Sequence, residues 1–198
     1  MTSITQTEKN LMRAFAGESQ ARNRYTFAAS VAKKNNLYVV EATFRFTADQ
    51  EKEHAEIFWK HLQKFAHDNV TLGEAGYPVE VTTDVVTLLK NAHHNELEEC
   101  DDAYPSFAET ARQEGFADIA RSFDMIAKIE GVHGQRFLKL AELIEQGKLF
   151  VSDVECQWIC LNCGHVLESK SAPEQCPVCD HNKGYFIRLE LLPYSNAQ

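Results

Sequence analysis

Apolar residues recur every three or four positions through four long stretches of this chain and lose that period in roughly the last quarter. The first stretch opens on Thr5 and Glu8, the spacing of a capping box. It runs through Leu11, Phe15, Tyr25, Ala29 and Ala32 to a stop at Asn35-Asn36. The second, over roughly 37–67, carries Phe44, Ala48, Ala55, Phe58, Leu62 and Phe65 on one face. Residues 69–83, with Gly73, Gly76 and Pro78, have no helical period and predict a long connecting loop. A third helix is predicted from Thr82 or Thr83 to about Gln113, with Gly115 as its stop. The fourth, over 116–146, carries Ile119, Phe123, Ile126, Phe137, Leu140 and Ile144 and ends at Gly147. Four helices with one long crossover predict a mainly α fold, a four-helix bundle.

Charged residues interrupt these apolar stripes at matched places. Glu18 falls on the first stripe, Glu51 and His54 on the second, and Glu130 and His133 on the fourth. The two Glu-x-x-His pairs lie 79 residues apart, and the same offset superposes Tyr25 on Tyr104 and Phe44 on Phe123. Glu18, however, falls on Leu97, one residue beyond Glu96. The third helix therefore holds one extra residue between Glu96 and Tyr104, which predicts a π-bulge there, just before Pro105.

Buried ionised carboxylates are costly unless paired or metal-bound. Four glutamates and two histidines in a duplicated inward frame match the ligand set of a carboxylate-bridged dinuclear centre in a ferritin-like bundle. Carboxylate and imidazole donors suit iron or manganese. Glu51 and Glu130 are the expected bridges, because each comes from a Glu-x-x-His helix. Glu99 shares a helix face with Glu96, and its counterpart at the 79 offset is Gln20. Five glutamates supply five negative charges, which favours the diferric state over the diferrous. The expectation is that Glu99 binds one iron only when it is ferric, with His54 or water in that place when it is ferrous. Tyr25 and Tyr104 are read as inward aromatics with hydrogen-bonded hydroxyls beside the site. The other histidines lack a paired frame and are expected in loops or on the surface.

The tail carries Cys160-x2-Cys163 and Cys176-x2-Cys179 with twelve residues between the pairs. That spacing predicts a tetrahedral four-thiolate site in a small module. Zinc would make it a structural ribbon and iron a one-electron carrier; fusion to a dinuclear redox site favours iron. A segment this small is also near the size at which a metal is needed for folding. Cys100 and Cys156 are left over and are read as free thiols. At 198 residues the chain divides into a bundle at 1–148 and a cysteine module at 154–198. A net charge of -9 argues against nucleic acid or an anionic membrane as partner. With no membrane-length apolar run and a polar N-terminus, a cytoplasmic protein is expected.

Ala14 through Arg22, Asp49 through His54, Tyr104-Pro105-Ser106-Phe107, and Cys160-x-x-Cys163-Gly164 with Cys176-Pro177-x-Cys179 resemble motifs of the rubrerythrin family, over nearly the whole chain. That resemblance implies a ferritin-like bundle with a C-terminal rubredoxin-like β domain. It implies two iron ions held by Glu18, Glu51, His54, Glu96, Glu99, Glu130 and His133, and one iron held by the four cysteines. It further implies a cytoplasmic peroxidase that reduces hydrogen peroxide to water and protects against oxidative stress. Its electrons would come from NADH through a separate rubredoxin reductase. The family forms homodimers in which the rubredoxin centre of one subunit often lies beside the di-iron site of the other. The chain departs from the family over Glu96-Leu97-Glu98-Glu99-Cys100-Asp101-Asp102-Ala103, where relatives commonly have an aromatic and a methionine. Two rival readings remain: a ferritin-like ferroxidase or iron store whose tail is a zinc clip, and an enzyme that prefers oxygen as oxidant.

Overall fold

A computed structural model describes residues 4–65, 69, 71, 73 and 75–192. Helix α1 (Gln6–Lys34) opens with the capping box: the Glu8 amide donates to Thr5 Oγ1 at 3.1 Å and the Thr5 amide to Glu8 Oε2 at 2.9 Å. It stops where Asn36 turns left-handed, at φ 57°. Helix α2 (Tyr38–Gln63) is shorter than its stripe suggested: Lys64 and Phe65 form a turn, and the expected end at His67 lies outside the described residues. Helix α3 (Val85–Glu98) begins after Thr82 and Thr83, because Asp84 takes the cap position and accepts the Thr87 amide at 2.8 Å. Helices α4 (Tyr104–Gln113) and α5 (Ala117–Glu145) complete the bundle, and Gly115 and Gly147 take positive φ at their ends.

Between α3 and α4, Glu99–Ala103 forms a π turn. Seven residues separate Glu18 from Tyr25, whereas eight separate Glu96 from Tyr104. In a regular α-helix the additional residue would rotate everything after it by about 100°. The wide turn absorbs it, and both Glu96 and Tyr104 remain buried.

Two apolar clusters occupy the bundle. One gathers Tyr25, Phe44, Leu89 and Phe137, the other Leu11, Phe58, Tyr104 and Phe123. On every helix the ligand-type residues fall between the segments that feed these clusters. Glu18, Glu51, His54, Glu96, Glu130 and His133 therefore form a polar layer clamped by hydrophobic packing above and below. Among the described residues no helix is long and apolar enough to cross a membrane.

The tail folds into a three-stranded antiparallel sheet of order β2-β1-β3: β1 (Val151–Cys160), β2 (Val166–Ser171) and β3 (Phe186–Arg188). Trp158, Phe186 and Ala172 give it a small core of its own. The 3-10 turn Lys183–Tyr185 docks it onto the α1–α2 turn, where Tyr185 stacks on Tyr38 with ring centroids 3.8 Å apart, and Ile187 of β3 is buried in the Tyr25–Phe44 cluster of the bundle. Gly184 makes that approach possible, since a Cβ there would lie 1.9 Å from the backbone oxygen of Asn36. Gly184→Ala is expected to lower stability by about 1–3 kcal/mol, the usual cost of overpacking a fixed contact. An unchanged denaturation midpoint in urea would show that the docking is loose.

Candidate metal centres

Helices α1, α2, α3 and α5 each bring one carboxylate into the polar layer, and α2 and α5 add a histidine three residues on. His54 Nδ1 lies 2.8 Å from Glu130 Oε1, 3.0 Å from Glu51 Oε2 and 3.9 Å from Glu18 Oε2. His133 Nδ1 lies 2.8 Å from Glu130 Oε2, 3.1 Å from Glu51 Oε1 and 3.7 Å from Glu96 Oε2. Two four-residue groups result, Glu18-Glu51-His54-Glu130 and Glu51-Glu96-Glu130-His133, each with its donor atoms within 4.8 Å of one another. Glu51 and Glu130 belong to both, and each turns one oxygen toward either histidine.

The tyrosines cross between the halves of the repeat. Tyr104 donates to Glu18 Oε1 at 2.5 Å, and Tyr25 donates to Glu96 Oε1. Each hydroxyl from one half thus fixes the terminal carboxylate of the other, which leaves that carboxylate's second oxygen aimed inward. Burial, and then Glu18 and Glu96 respectively, push both hydroxyls well above the ordinary tyrosine value, so they stay protonated donors.

Without a metal the charges of the layer are met by protons. Burial and then the neighbouring carboxylates push Glu18 and Glu96 well up. Burial disfavours the charged forms of both histidines, but the carboxylates around them outweigh it, raising His54 to about 9 and His133 to about 12. Burial opposes ionisation of Glu130 too, yet the two imidazoles hold it down at about 2.

The layer's unpaired atoms test whether it fits a metal pair. Glu18 Oε2, Glu51 Oε1, Glu96 Oε2, both oxygens of Glu130 and His133 Nδ1 are buried with no hydrogen-bond partner. His133 Nδ1 lies within 3.1 Å of Glu51 Oε1 and Glu130 Oε2, the close approach of ligand atoms around a shared point. Buried polar groups are normally satisfied, so six unsatisfied donor atoms facing two common points fit a pair of cations. The oxygen-rich, imidazole-containing set suits iron.

Glu99 is not among these donors. It sits half-buried at the start of the π turn, on the Gly17 side, where its Oε1 lies 3.7 Å from the position of a Cβ on Gly17. Burial and then Glu96 push its carboxyl well up. His54 is inside the cluster and Glu99 outside it.

Sequence reasoning missed Gln50, whose Oε1 lies 3.0 Å from His133 Nε2. An amide oxygen only accepts, so Nε2 keeps its proton, and Nδ1 is the nitrogen that gives up its proton to bind a metal. Its place one residue before Glu51 was visible; its partner 83 residues away was not. His61 also departs from expectation, being buried between α2 and α5 with Nε2 2.9 Å from Ser122 Oγ. Lys64 donates to His61 Nδ1 at 2.9 Å, which makes Nε2–H a donor to the serine. The pair is therefore structural, because a histidine base would need a bare Nε2.

In the tail, Cys160 Sγ lies 3.8 Å from Cys179 Sγ and Cys163 Sγ 3.6 Å from Cys176 Sγ. A disulfide would bring sulfurs to about 2.05 Å. A tetrahedron with metal–sulfur bonds of about 2.3 Å has edges near 3.8 Å, which these separations match. Two equivalent turns supply the pairs: Gly164 N donates to Cys160 O at 2.8 Å and Asp180 N to Cys176 O at 3.0 Å. The His181 amide is the leading influence on the Cys179 thiol and helps lower it to about 6, so it ionises readily. Cys100 and Cys156 are free and half-buried, outside either site.

The fold, the paired groups and the four-thiolate site invite comparison with known proteins. The Rubrerythrin family model matches residues 9–141, and that of the rubrerythrin rubredoxin-like domain matches 158–187. The chain belongs to the rubrerythrin family. It is 46% identical to the rubrerythrin of Clostridium perfringens over 182 residues, 92% of this chain and 93% of that protein. It is 42% identical to that of Nitratidesulfovibrio vulgaris over 185 residues, 93% of this chain and 95% of the other. Among solved structures, nigerythrin in a mixed-valent state superposes with a TM-score of 0.63 at 25% identity, covering 94% of this chain and 88% of that one. The two centres are thus a candidate di-iron site and a candidate rubredoxin-type iron site in a rubrerythrin-family protein.

Proposed function

We propose that this protein is a cytoplasmic peroxidase that reduces hydrogen peroxide to two waters and protects against oxidative stress. The reading rests above all on one observation: a single chain combines two carboxylate-histidine groups sharing Glu51 and Glu130 with a four-thiolate site. It treats the chain as a di-iron bundle at 1–148 and a rubredoxin-like module at 154–198.

Glu51 and Glu130 would hold both ions, Glu18 and His54 one of them, and Glu96 and His133 the other, while Cys160, Cys163, Cys176 and Cys179 would hold the third. When bound, the bundle pair supplies the two electrons that break the O–O bond, and the thiolate site supplies their replacements singly. Glu99, outside the cluster, would be a fifth carboxylate able to hold one ion in the oxidised pair, in the place of His54 or water. Tyr25 and Tyr104 hold their protons on Glu96 and Glu18 and so keep those carboxylates oriented throughout. Gln50 fixes the tautomer of His133. Peroxide takes up two protons with its two electrons, and the buried, proton-rich layer keeps bulk water from competing.

The electrons are proposed to start from NADH and arrive through a separate reductase. Within one chain the cysteine module docks at the α1–α2 turn, and thirteen residues of α2 separate Tyr38 from Glu51. At 1.5 Å per residue that is about 20 Å along the helix. A homodimer that places one subunit's thiolate centre beside the other's bundle shortens that path. Exposed Met125, Ile129 and Val132 on α5 offer apolar surface for it.

Rapid mixing of the fully reduced protein with one equivalent of peroxide, and separately with oxygen, tests the proposal. Peroxide is expected to oxidise the bundle iron much faster, and NADH with a reductase to sustain peroxide turnover. Faster oxidation by oxygen, with iron accumulating in multi-subunit shells, would support the iron-handling alternative.

A further inference from the structure

Two of the four seams of the bundle are wide, their helices held apart by large side chains such as Phe44–Phe137 and Phe58–Phe123 across α2 and α5. Helix α1 lies along α2, and α5 lies along α3 and α4. The remaining seams, α1 against α3–α4 and α2 against α5, are therefore on opposite sides. Each opens into a cavity beside the candidate di-iron site. The α2–α5 opening reaches His54 and Gln50 past Phe46 and Ile129. It adjoins the apolar row on α5, the side proposed above for electron delivery. The α1–α3–α4 opening, about 340 Å³, is walled by Gly17, Tyr77, Asn95, Glu99, Tyr104 and Phe107.

This second cavity is far too large for hydrogen peroxide alone, a molecule about the size of two waters at roughly 30 Å³ each. Its chemistry is also two-sided. Ala14, Ala103, Pro78 and the ring of Phe107 give it apolar wall. Tyr104 and Glu99 connect it to the metal layer, Tyr104 through its hydrogen bond to Glu18. Asn95, Gln20 and the edge of Glu98 complete its polar side. A missing side chain leaves a gap between Glu99 and Tyr77: a Cβ on Gly17 would sit 3.7 Å from Glu99 Oε1 and 3.8 Å from Tyr77 Cε1. Tyr77 is held across that gap by its hydroxyl, which donates to Arg13 O at 3.1 Å.

We propose that the cavity between Gly17, Tyr77, Asn95 and Phe107 is the oxidant's binding chamber, and that it admits alkyl hydroperoxides as well as hydrogen peroxide. The inference rests on the peroxidase reading and deepens it. The hydroperoxide group lies at the Glu99–Tyr104 end, nearest the metal layer, and the alkyl group packs against Phe107 and the alanines. The reaction balances as ROOH plus two electrons and two protons giving ROH and water. The O–O bond breaks, the oxygen bearing carbon leaves as the alcohol, and a reduced one-electron carrier restores the electrons through the thiolate site.

The test compares reductase-coupled turnover of tert-butyl hydroperoxide and hydrogen peroxide by the iron-loaded full-length protein and two variants. The wild type is expected to reduce both. Gly17→Val, which fills the gap, should lower the ratio of the two kcat/KM values at least tenfold. Tyr77→Ala, which widens it, should raise the ratio. Independently of activity, crystals of the iron-loaded protein soaked in tert-butyl alcohol should show the alcohol between Gly17, Tyr77 and Phe107. Turnover of hydrogen peroxide alone, or a ratio unmoved in Tyr77→Ala with no alcohol in the chamber, overturns the inference and leaves the peroxidase reading standing. Turnover of neither substrate by the wild type removes the peroxidase reading itself. If Gly17→Val loses its iron, the Tyr77→Ala ratio and the soak decide.

Discussion

Glu130→Ala is expected to empty the bundle of both metal ions while the four-cysteine site keeps its own. Glu130 turns one oxygen to each histidine at 2.8 Å, so no single ion can be lost without weakening the other. Peroxide turnover should fall by on the order of a thousandfold or more, toward the rate of free iron. The helices should survive, because their caps and the two apolar clusters do not involve Glu130. His54 and His133 lose the carboxylate that holds their protons and return toward ordinary imidazole behaviour. Glu53→Ala is the matched control, an exposed carboxylate on α2 that pairs with Lys52 in a surface contact. Metal analysis of the two variants separates the outcomes: near-normal iron in Glu130→Ala would remove the bridging role.

The second large effect is a pair of opposed pH trends. In the metal-free protein, His54 is raised from 6.5 to about 9 and His133 to about 12. Their stabilisation is complete below pH 6.5 and is lost as pH climbs through the folded values. The raised carboxyls of Glu18 and Glu96 act in the same sense, losing their contribution as pH rises above 4.5. Glu130, lowered from 4.5 to about 2, acts oppositely, and its contribution is lost only as pH falls below 4.5. Metal-free stability should therefore be greatest on the acid side of neutrality and fall toward pH 9; the shift of His54 alone corresponds to about 3 kcal/mol. Metal affinity should move the other way, since Glu18, Glu96, His54 and His133 must release as many as four protons to become ligands. Urea denaturation of the metal-free protein at pH 5.5 and 9, with calorimetry of ferrous ion binding across that range, checks both signs. Greater metal-free stability at pH 9 would contradict the account.

Much of this site was legible in the sequence because its information is local and periodic. Glu51 and His54 share a helix face by spacing alone, and the 79-residue offset revealed that Glu130 and His133 repeat them. Even the π turn could be read, as one surplus residue between Glu96 and Tyr104. What escaped depends on contacts between helices. Gln50 gains its role only where α5 brings His133 against it, and Tyr25 and Tyr104 reach across to the opposite half's carboxylate. His61 looked like a surface residue because nothing in its own helix shows that α5 covers it. Gly184, an ordinary turn residue by sequence, proves to be one place where the module touches the bundle.

Anomalous diffraction at the iron edge, on crystals of protein loaded anaerobically with ferrous ion, tests the central claim most directly. Three iron peaks per chain are expected: two neighbouring peaks flanked by Glu51 and Glu130, and a third amid Cys160, Cys163, Cys176 and Cys179. A single peak in the bundle, or none, with the glutamates closed on one another, would contradict the paired-metal chemistry on which the function rests.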